Sequence, residues 1–218
     1  MTINVLIVGA SRGIGAELAK QFAAVPKYNV IAAVRTLPTD TNADISSNYG
    51  RIQLDQTSPE SVAAAAKHVD SVDILILNAA IGGEEYMATT SDERLLEYLA
   101  SNVVGPHRVI REFLPALRKA SGSLARQVEA HPGFAGPYSV SKAAGNMLVV
   151  QYQNELRGEG ICVAALHPGW VATDMGNSAG DGGMPVAQSV EGLKKVILGL
   201  KLESDVKYLN YDGTPIPW

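Results

Sequence analysis

The stretch that decides the fold is Thr2-Ile3-Asn4-Val5-Leu6-Ile7-Val8-Gly9-Ala10-Ser11-Arg12-Gly13-Ile14-Gly15. Residues 2–8 are a short β-branched run and read as a buried strand. Glycines 9, 13 and 15 follow it at once, and a helix is predicted from about Gly13 to Ala24. Glycine lets the backbone turn tightly and lets a ligand come close. A helix N-terminus adds free N–H groups and the positive end of the dipole, which suit an anion such as a pyrophosphate. A glycine trio alone is a weak signal; its strand–turn–helix setting separates it from an ordinary tight turn.

Outward from this loop, apolar runs alternate with helical segments. Residues 29–34, 51–54, 72–77, 161–166 and 206–210 read as strands. Helices are expected from Ser58-Pro59, with Pro at the first helical position, over residues 92–119 with a break near Gly105-Pro106, over 137–157 and over 186–200. The polar stretch 36–49 reads as loop or a short irregular helix, and the glycine-rich 176–183 as the most flexible-looking loop. The alternation predicts one α/β domain over residues 1–218: a Rossmann-type, doubly wound, mainly parallel sheet with helices on both faces. Its strand C-terminal ends form one ligand-binding edge.

Composition narrows the classes. Hydrophobic residues make up 46% and charged residues 18%, enough apolar material for a buried core. A net charge of -4 without a long run of one sign argues against nucleic acid and anionic membranes. No apolar run approaches the ~18 residues of a membrane span, and the N-terminus shows no charged leader region. The single cysteine, Cys162, excludes an internal disulfide and points to a reduced, cytoplasmic setting. Assembly into a homo-oligomer stays open.

Arg35 follows the second strand, where a site for NAD or S-adenosylmethionine would want an acid for the ribose hydroxyls. With Arg12 in the glycine loop, two guanidinium groups suit the 2′-phosphate of NADP by charge and by bidentate geometry. Arg35 also reads as a plain solvated residue at a strand end. The second motif is Tyr138-Ser139-Val140-Ser141-Lys142. Tyr and Lys four apart on a helix share a face. The cation favours the phenolate, so such a Tyr can give or take a proton near neutral pH. Alone the spacing is commonplace; behind the glycine loop it is specific.

The spacing G-x-x-x-G-x-G over Gly9, Gly13 and Gly15, together with Tyr138 and Lys142, resembles the short-chain dehydrogenase/reductase family. Val8 stands where that family commonly has Thr. The resemblance continues in Asn78-Ala79-Ala80 after the fourth strand, in Asn102, and in Pro168-Gly169-Trp170-Val171-Ala172-Thr173. It implies that Gly9, Ser11, Arg12, Gly13, Ile14, Gly15, Arg35, Asp55, Asn78 and Ala79 hold NADP with Lys142, Pro168, Gly169, Val171 and Thr173. It assigns Asp55 to the adenine ring, Asn102 to a proton-relay water, and Val171 and Thr173 to the nicotinamide end. The ending 211–218 is similar to a carbonyl-reductase branch that includes the sniffer and C-factor proteins.

One part of the family pattern is not visible. The resemblance implies a fifth strand ending in a catalytic Ser a dozen or so residues before the Tyr. Between Ala120 and Tyr138 no apolar strand can be read: Leu124 and Val128 stand isolated among Arg126, Gln127 and Glu129. Ser123, fifteen residues before Tyr138, and Ser121, seventeen before it, are the candidates by spacing. Both also read as loop serines. A missing strand would mean residues lost from the sequence, a shortened gene product, or a rearranged sheet. The leading expectation is an oxidoreductase that reduces a hydrophobic ketone or aldehyde with NADPH, or oxidises the matching alcohol. Tyr138 would donate the proton, Lys142 and Asn102 would support it, and Ser123 would polarise the carbonyl. The rivals are a non-catalytic NADP(H)-binding or regulatory protein and an inactive variant without the Ser strand.

Overall fold

The computed structural model describes residues 2–37, 49–120, 123–127, 136–178, 180–203 and 205–218, with 123–127 as backbone only. Most of the expected 36–49 loop falls outside them. The first strand, β1 (Ile3–Val8), sets the architecture through the two-residue period of a strand. Val5 and Ile7 pack in a cluster with Leu18 and Phe22 of α1 (Gly13–Ala23) and Leu193 and Ile197 of α7 (Val186–Gly199). Leu6 and Val8 join the opposite cluster, with Val62 of α2 (Pro59–Ala66), Phe113 of α4 (Gly105–Ala120) and Val149 of α5 (Gly136–Leu156). One strand apolar on both faces therefore places the sheet between two helical layers.

The sheet has seven strands in the order β3-β2-β1-β4-β5-β6-β7. These are β2 (Tyr28–Val34), β3 (Gly50–Gln53), β4 (Ile74–Leu77), β5 (Ser123–Gln127), β6 (Cys162–His167) and β7 (Lys207–Asn210). All six pairings are parallel. The chain leaves β1 toward β3 on one side and resumes at β4 on the other. The β1–β4 junction is thus the topological switch point. The tail closes the β7 edge: Ile216 donates to the carbonyl of Tyr208 at 2.8 Å and Asn210 to that of Thr214 at 2.8 Å.

One expectation needs correction. The fifth strand is present. Ser123 to Arg126 pair with Ile74 to Leu77, and Ser123 to Gln127 with Cys162 to Leu166. Interior parallel strands usually read as apolar β-branched runs; SLARQ does not. What holds it is backbone pairing on both sides, because β4 and β6 would otherwise expose unpaired N–H and C=O groups inside the sheet. The sheet is neither shortened nor rearranged.

The helix break expected near Gly105-Pro106 takes the form of a π-helical turn just before them. α3 (Asp92–Leu99) widens into a π-helical turn at Ala100–Val104, and Gly105 and Pro106 then begin α4. Pro lacks an N–H and fits the first turn of a helix, where that group has no partner within the helix. The segment expected as a flexible loop, 176–183, begins inside a helical turn, α6 (Asp174–Asn177), capped by Thr173. Met184 then returns to pair with Val171, donating to the Trp170 carbonyl at 2.8 Å and accepting from Ala172 at 2.9 Å.

If β5 is an interior strand, its amides exchange slowly. Hydrogen exchange followed by mass spectrometry should show residues 124–127 protected like Leu75–Leu77 of β4. Loop-like exchange at these residues would contradict the pairing.

Candidate functional site

The site is built at the switch point. Gly9 ends β1 at φ +86°, and a Cβ there would lie 2.6 Å from the Ala79 nitrogen. A Cβ on Gly15 would lie 2.1 Å from the Gly9 carbonyl oxygen. Asn78, directly after β4, donates from Nδ2 to that same oxygen at 2.8 Å. Ile14 is partly buried against the α1–α7 cluster, and Ser11 is exposed on the loop. Helices α2, α3 and α6 are capped by the side chains of Ser58, Ser91 and Thr173, but no side chain caps α1 at Arg12. The first turn of α1 also carries no acid. Its dipole end is left for an anion from outside.

Arg35 follows β2 and is exposed; no acid stands there. Asp55, beyond β3, accepts from the Thr57 hydroxyl at 2.7 Å and from its N–H at 2.9 Å. The Thr57 hydroxyl holds its carboxyl below the usual range, and Arg35 and Arg108 add to the effect. Arg12 reaches from the glycine loop to pair with Asp174 of α6. Both side chains are more than 70% exposed, 78% and 75%. Such a pair contributes at most about 1 kcal/mol, so a phosphate can compete for Arg12.

Tyr138 and Lys142 are buried on α5, with Lys142 Nζ 5.1 Å from the Tyr138 ring centroid. The π-helical turn presents Asn102 to the same place. Its Oδ1 accepts from the Ile81 N–H at 2.9 Å and its Nδ2 donates to the Ile81 carbonyl at 2.8 Å. Nδ2 also donates to Ser141 Oγ at 3.0 Å, and Ser141 donates to the Tyr138 carbonyl at 2.7 Å. Asn102 thereby joins the connection after β4 to the Tyr helix.

After β6, Pro168 accepts from Ser189 at 2.6 Å, Gly169 donates to His167 Nδ1 at 3.0 Å, and Val171 is buried. Thr173 Cγ2 lies 3.4 Å from a Cβ built on Gly13, so this segment faces the glycine loop. A Cβ built on Gly82 would meet Met175 Sδ at 2.7 Å and Tyr138 Cε2 at 3.1 Å. Gly82 therefore lies close to both the Tyr138 ring and Met175.

A family model described as short chain dehydrogenase matches residues 3–182. The chain belongs to that family. It is 38% identical over 159 residues to the C-signal of Myxococcus xanthus, covering 67% of this chain and 93% of that protein. It is 31% identical to an oxidoreductase of Schizosaccharomyces pombe over 244 positions, covering 97% and 96%. Those positions outnumber the 218 residues here, so the yeast protein carries segments this chain lacks. The crystal structure of NADPH-bound carbonyl reductase from chicken fatty liver superposes with a TM-score of 0.91 at 28% identity, covering 100% of this chain and 94% of that one. The expected kinship with C-factor-like and carbonyl-reductase proteins is borne out.

Within this short chain dehydrogenase, Ser123 is not where a catalytic Ser must be. It opens β5, level with Ile74 and Cys162, at the N-terminal edge of the sheet. Four residues at ~3.3 Å each put it about 13 Å from the C-terminal edge that carries Asn78 and Gly9. Ser121 lies outside the described residues. Between Leu124 and Tyr138 the sequence has no Ser or Thr at all. Sequence reasoning missed Ser141, whose only signal is its place three residues after the Tyr. It also missed Glu85 and Tyr98, which no motif marks. Ser123→Ala should therefore leave NADPH-dependent turnover within about twofold, whereas loss of a true carbonyl-polarising donor costs ~100-fold or more. A loss on that larger scale would reinstate Ser123.

Proposed function

We propose that this short chain dehydrogenase reduces a hydrophobic ketone or aldehyde with NADPH, Tyr138 donating the proton. The observation that carries the reading is the buried Tyr138–Lys142 pair beside Gly82 and Met175, at the sheet edge that also holds the glycine loop. The residues fit the cofactor: Gly9 and Gly15 let the end of β1, the start of α1 and Ala79 close into a tight turn, and the uncapped start of α1 suits a pyrophosphate. Arg12 and Arg35 would take the 2′-phosphate, Asp55 the adenine side, and Lys142, Val171 and Thr173 the nicotinamide end. When bound, NADPH would supply a hydride for the carbonyl carbon. Tyr138 gives its phenolic proton to the carbonyl oxygen, and the Lys142 ammonium favours the phenolate left behind. Asn102 and Ser141 hold the backbone that aims Tyr138. Met175, with Trp170 and Met184 on the same segment, gives the substrate side an apolar wall and forms the lid over it.

One observation favours a second reading, an NADP(H)-binding protein with little or no turnover. The β5–α5 connection carries no hydroxyl to polarise a carbonyl. Removing one such donor lowers kcat by roughly 100- to 1000-fold.

Titration with both cofactors should show NADPH binding at least about tenfold tighter than NADH, and Arg35→Asp should erase or reverse that preference. Equal affinities in the parent protein would remove the assignment. Tyr138→Phe should abolish carbonyl reduction while NADPH affinity stays within about threefold, since only an acidic O–H is lost. Near-normal turnover by Tyr138→Phe would defeat the mechanism; a parent inactive on aromatic aldehydes and ketones would favour the second reading.

A further inference from the structure

Glu85 lies in the connection between β4 and α3 and makes contacts at both of its ends. Its backbone carbonyl accepts the N–H of Gly136, the first residue of the Tyr138 helix, at 2.9 Å. Its carboxylate accepts from Arg94 Nε at 3.0 and 3.1 Å and from Arg94 Nη2 at 2.6 Å. It also accepts from the Tyr98 hydroxyl at 2.9 Å. Tyr98 is fully buried, and its ring meets Tyr138 edge-on at 6.5 Å between centroids. The Arg94 guanidinium lies over the Tyr98 ring at 4.6 Å. Arg94 holds the Glu85 carboxyl below its ordinary range, while burial pushes the Tyr98 hydroxyl up, so Glu85 is the anion and Tyr98 the neutral donor.

We infer that Glu85 is a positioning residue for Tyr138, and that Arg94 cancels its charge so that the carboxylate does not oppose Lys142. The inference rests on the reading of Tyr138 as the proton donor. Glu85 grips the start of the Tyr helix through its backbone and sets the Tyr98 ring against the Tyr138 ring through its side chain. The charged and titratable groups that bear on Tyr138 include Lys142 from α5, Tyr98 and Arg94 from α3, and Glu85 from the connection, with Glu97 of α3 as a second carboxylate on Arg94 at 2.5 Å. Met175 from α6 and Gly82 are uncharged. A bare carboxylate in this position disfavours the phenolate, so losing Arg94 moves proton release from Tyr138 to higher pH.

The experiment uses NADPH with para-nitrobenzaldehyde as probe, an NADPH binding titration, and the ultraviolet phenolate absorbance that Tyr138→Phe removes. Glu85→Ala is expected to lower kcat about tenfold through misplacement of Tyr138, with NADPH affinity within about twofold. Glu85→Gln, which keeps an acceptor for Tyr98, recovers most of that loss. Arg94→Gln raises the Tyr138 midpoint by about half a pH unit, and adding Glu85→Gln returns it. Parental kcat in Glu85→Ala, or a midpoint unmoved by Arg94→Gln, overturns the inference. Parallel loss of kcat and NADPH affinity without recovery in Glu85→Gln overturns it too, as the mark of a general structural defect. The midpoints need no substrate. A parent inactive on the aldehyde, or an active Tyr138→Phe, counts against the proton-donor reading instead, and the midpoints still decide the role of Glu85.

Discussion

No methyl group fits between Gly15 and the carbonyl oxygen of Gly9, and the rest of the structure depends on that closeness. A Cβ would lie 2.1 Å from that oxygen, far inside contact distance, and one on Gly9 would strike the Ala79 backbone. The end of β1, the start of α1 and the end of β4 are thereby drawn to one point. Asn78 joins them by donating to the Gly9 oxygen. Because the chain reverses its direction of travel across the sheet here, the helix dipole and the first strand of the second half open into one crevice. A side chain at either glycine would separate the phosphate-binding half from the half that carries Tyr138.

Most of this was readable in the sequence because it rests on local chemistry. Pro59 after Ser58 marks a helix start by the same physics that places Ser58 Oγ on the Ser61 N–H at 3.1 Å. β1 announces itself because both faces are buried and so both sets of side chains are apolar. β5 was not readable because nothing in SLARQ is local evidence for a strand: its partners are about fifty residues upstream and forty downstream. The form of the helix break was not readable for a related reason. Gly105 and Pro106 look like breakers, but the π-helical turn before them arises from how Asn102 must meet Ile81 and Ser141, contacts that no window of sequence contains. Tyr138, Lys142 and the glycine loop were found by motif. Glu85 and Tyr98 were not, since an ion pair with Arg94 and an edge-on ring contact leave no spacing signature.

The absence of a hydroxyl on the β5–α5 connection changes what the remaining residues must do. In carbonyl reduction, negative charge builds on one oxygen, and each well-placed donor to it is worth several kcal/mol because the site is dry and the donor is already oriented. With two donors, a small error in one is partly masked by the other. On the proposed reading, in which Tyr138 is the donor that α5 supplies, orientation of that ring weighs more heavily on the barrier. The structure holds it from several sides. Ser141 and Asn102 fix its backbone to the connection after β4, Glu85 fixes the first turn of its helix, Tyr98 bears on one edge of the ring, and Lys142 lies over the ring. Besides α5 itself, these holds come from three elements, the π-helical turn, the β4–α3 connection and α3. Pre-organisation of this kind lowers the reorganisation needed when a proton moves, and it is the route open to such a site when the stretch between Leu124 and Tyr138 supplies no hydroxyl.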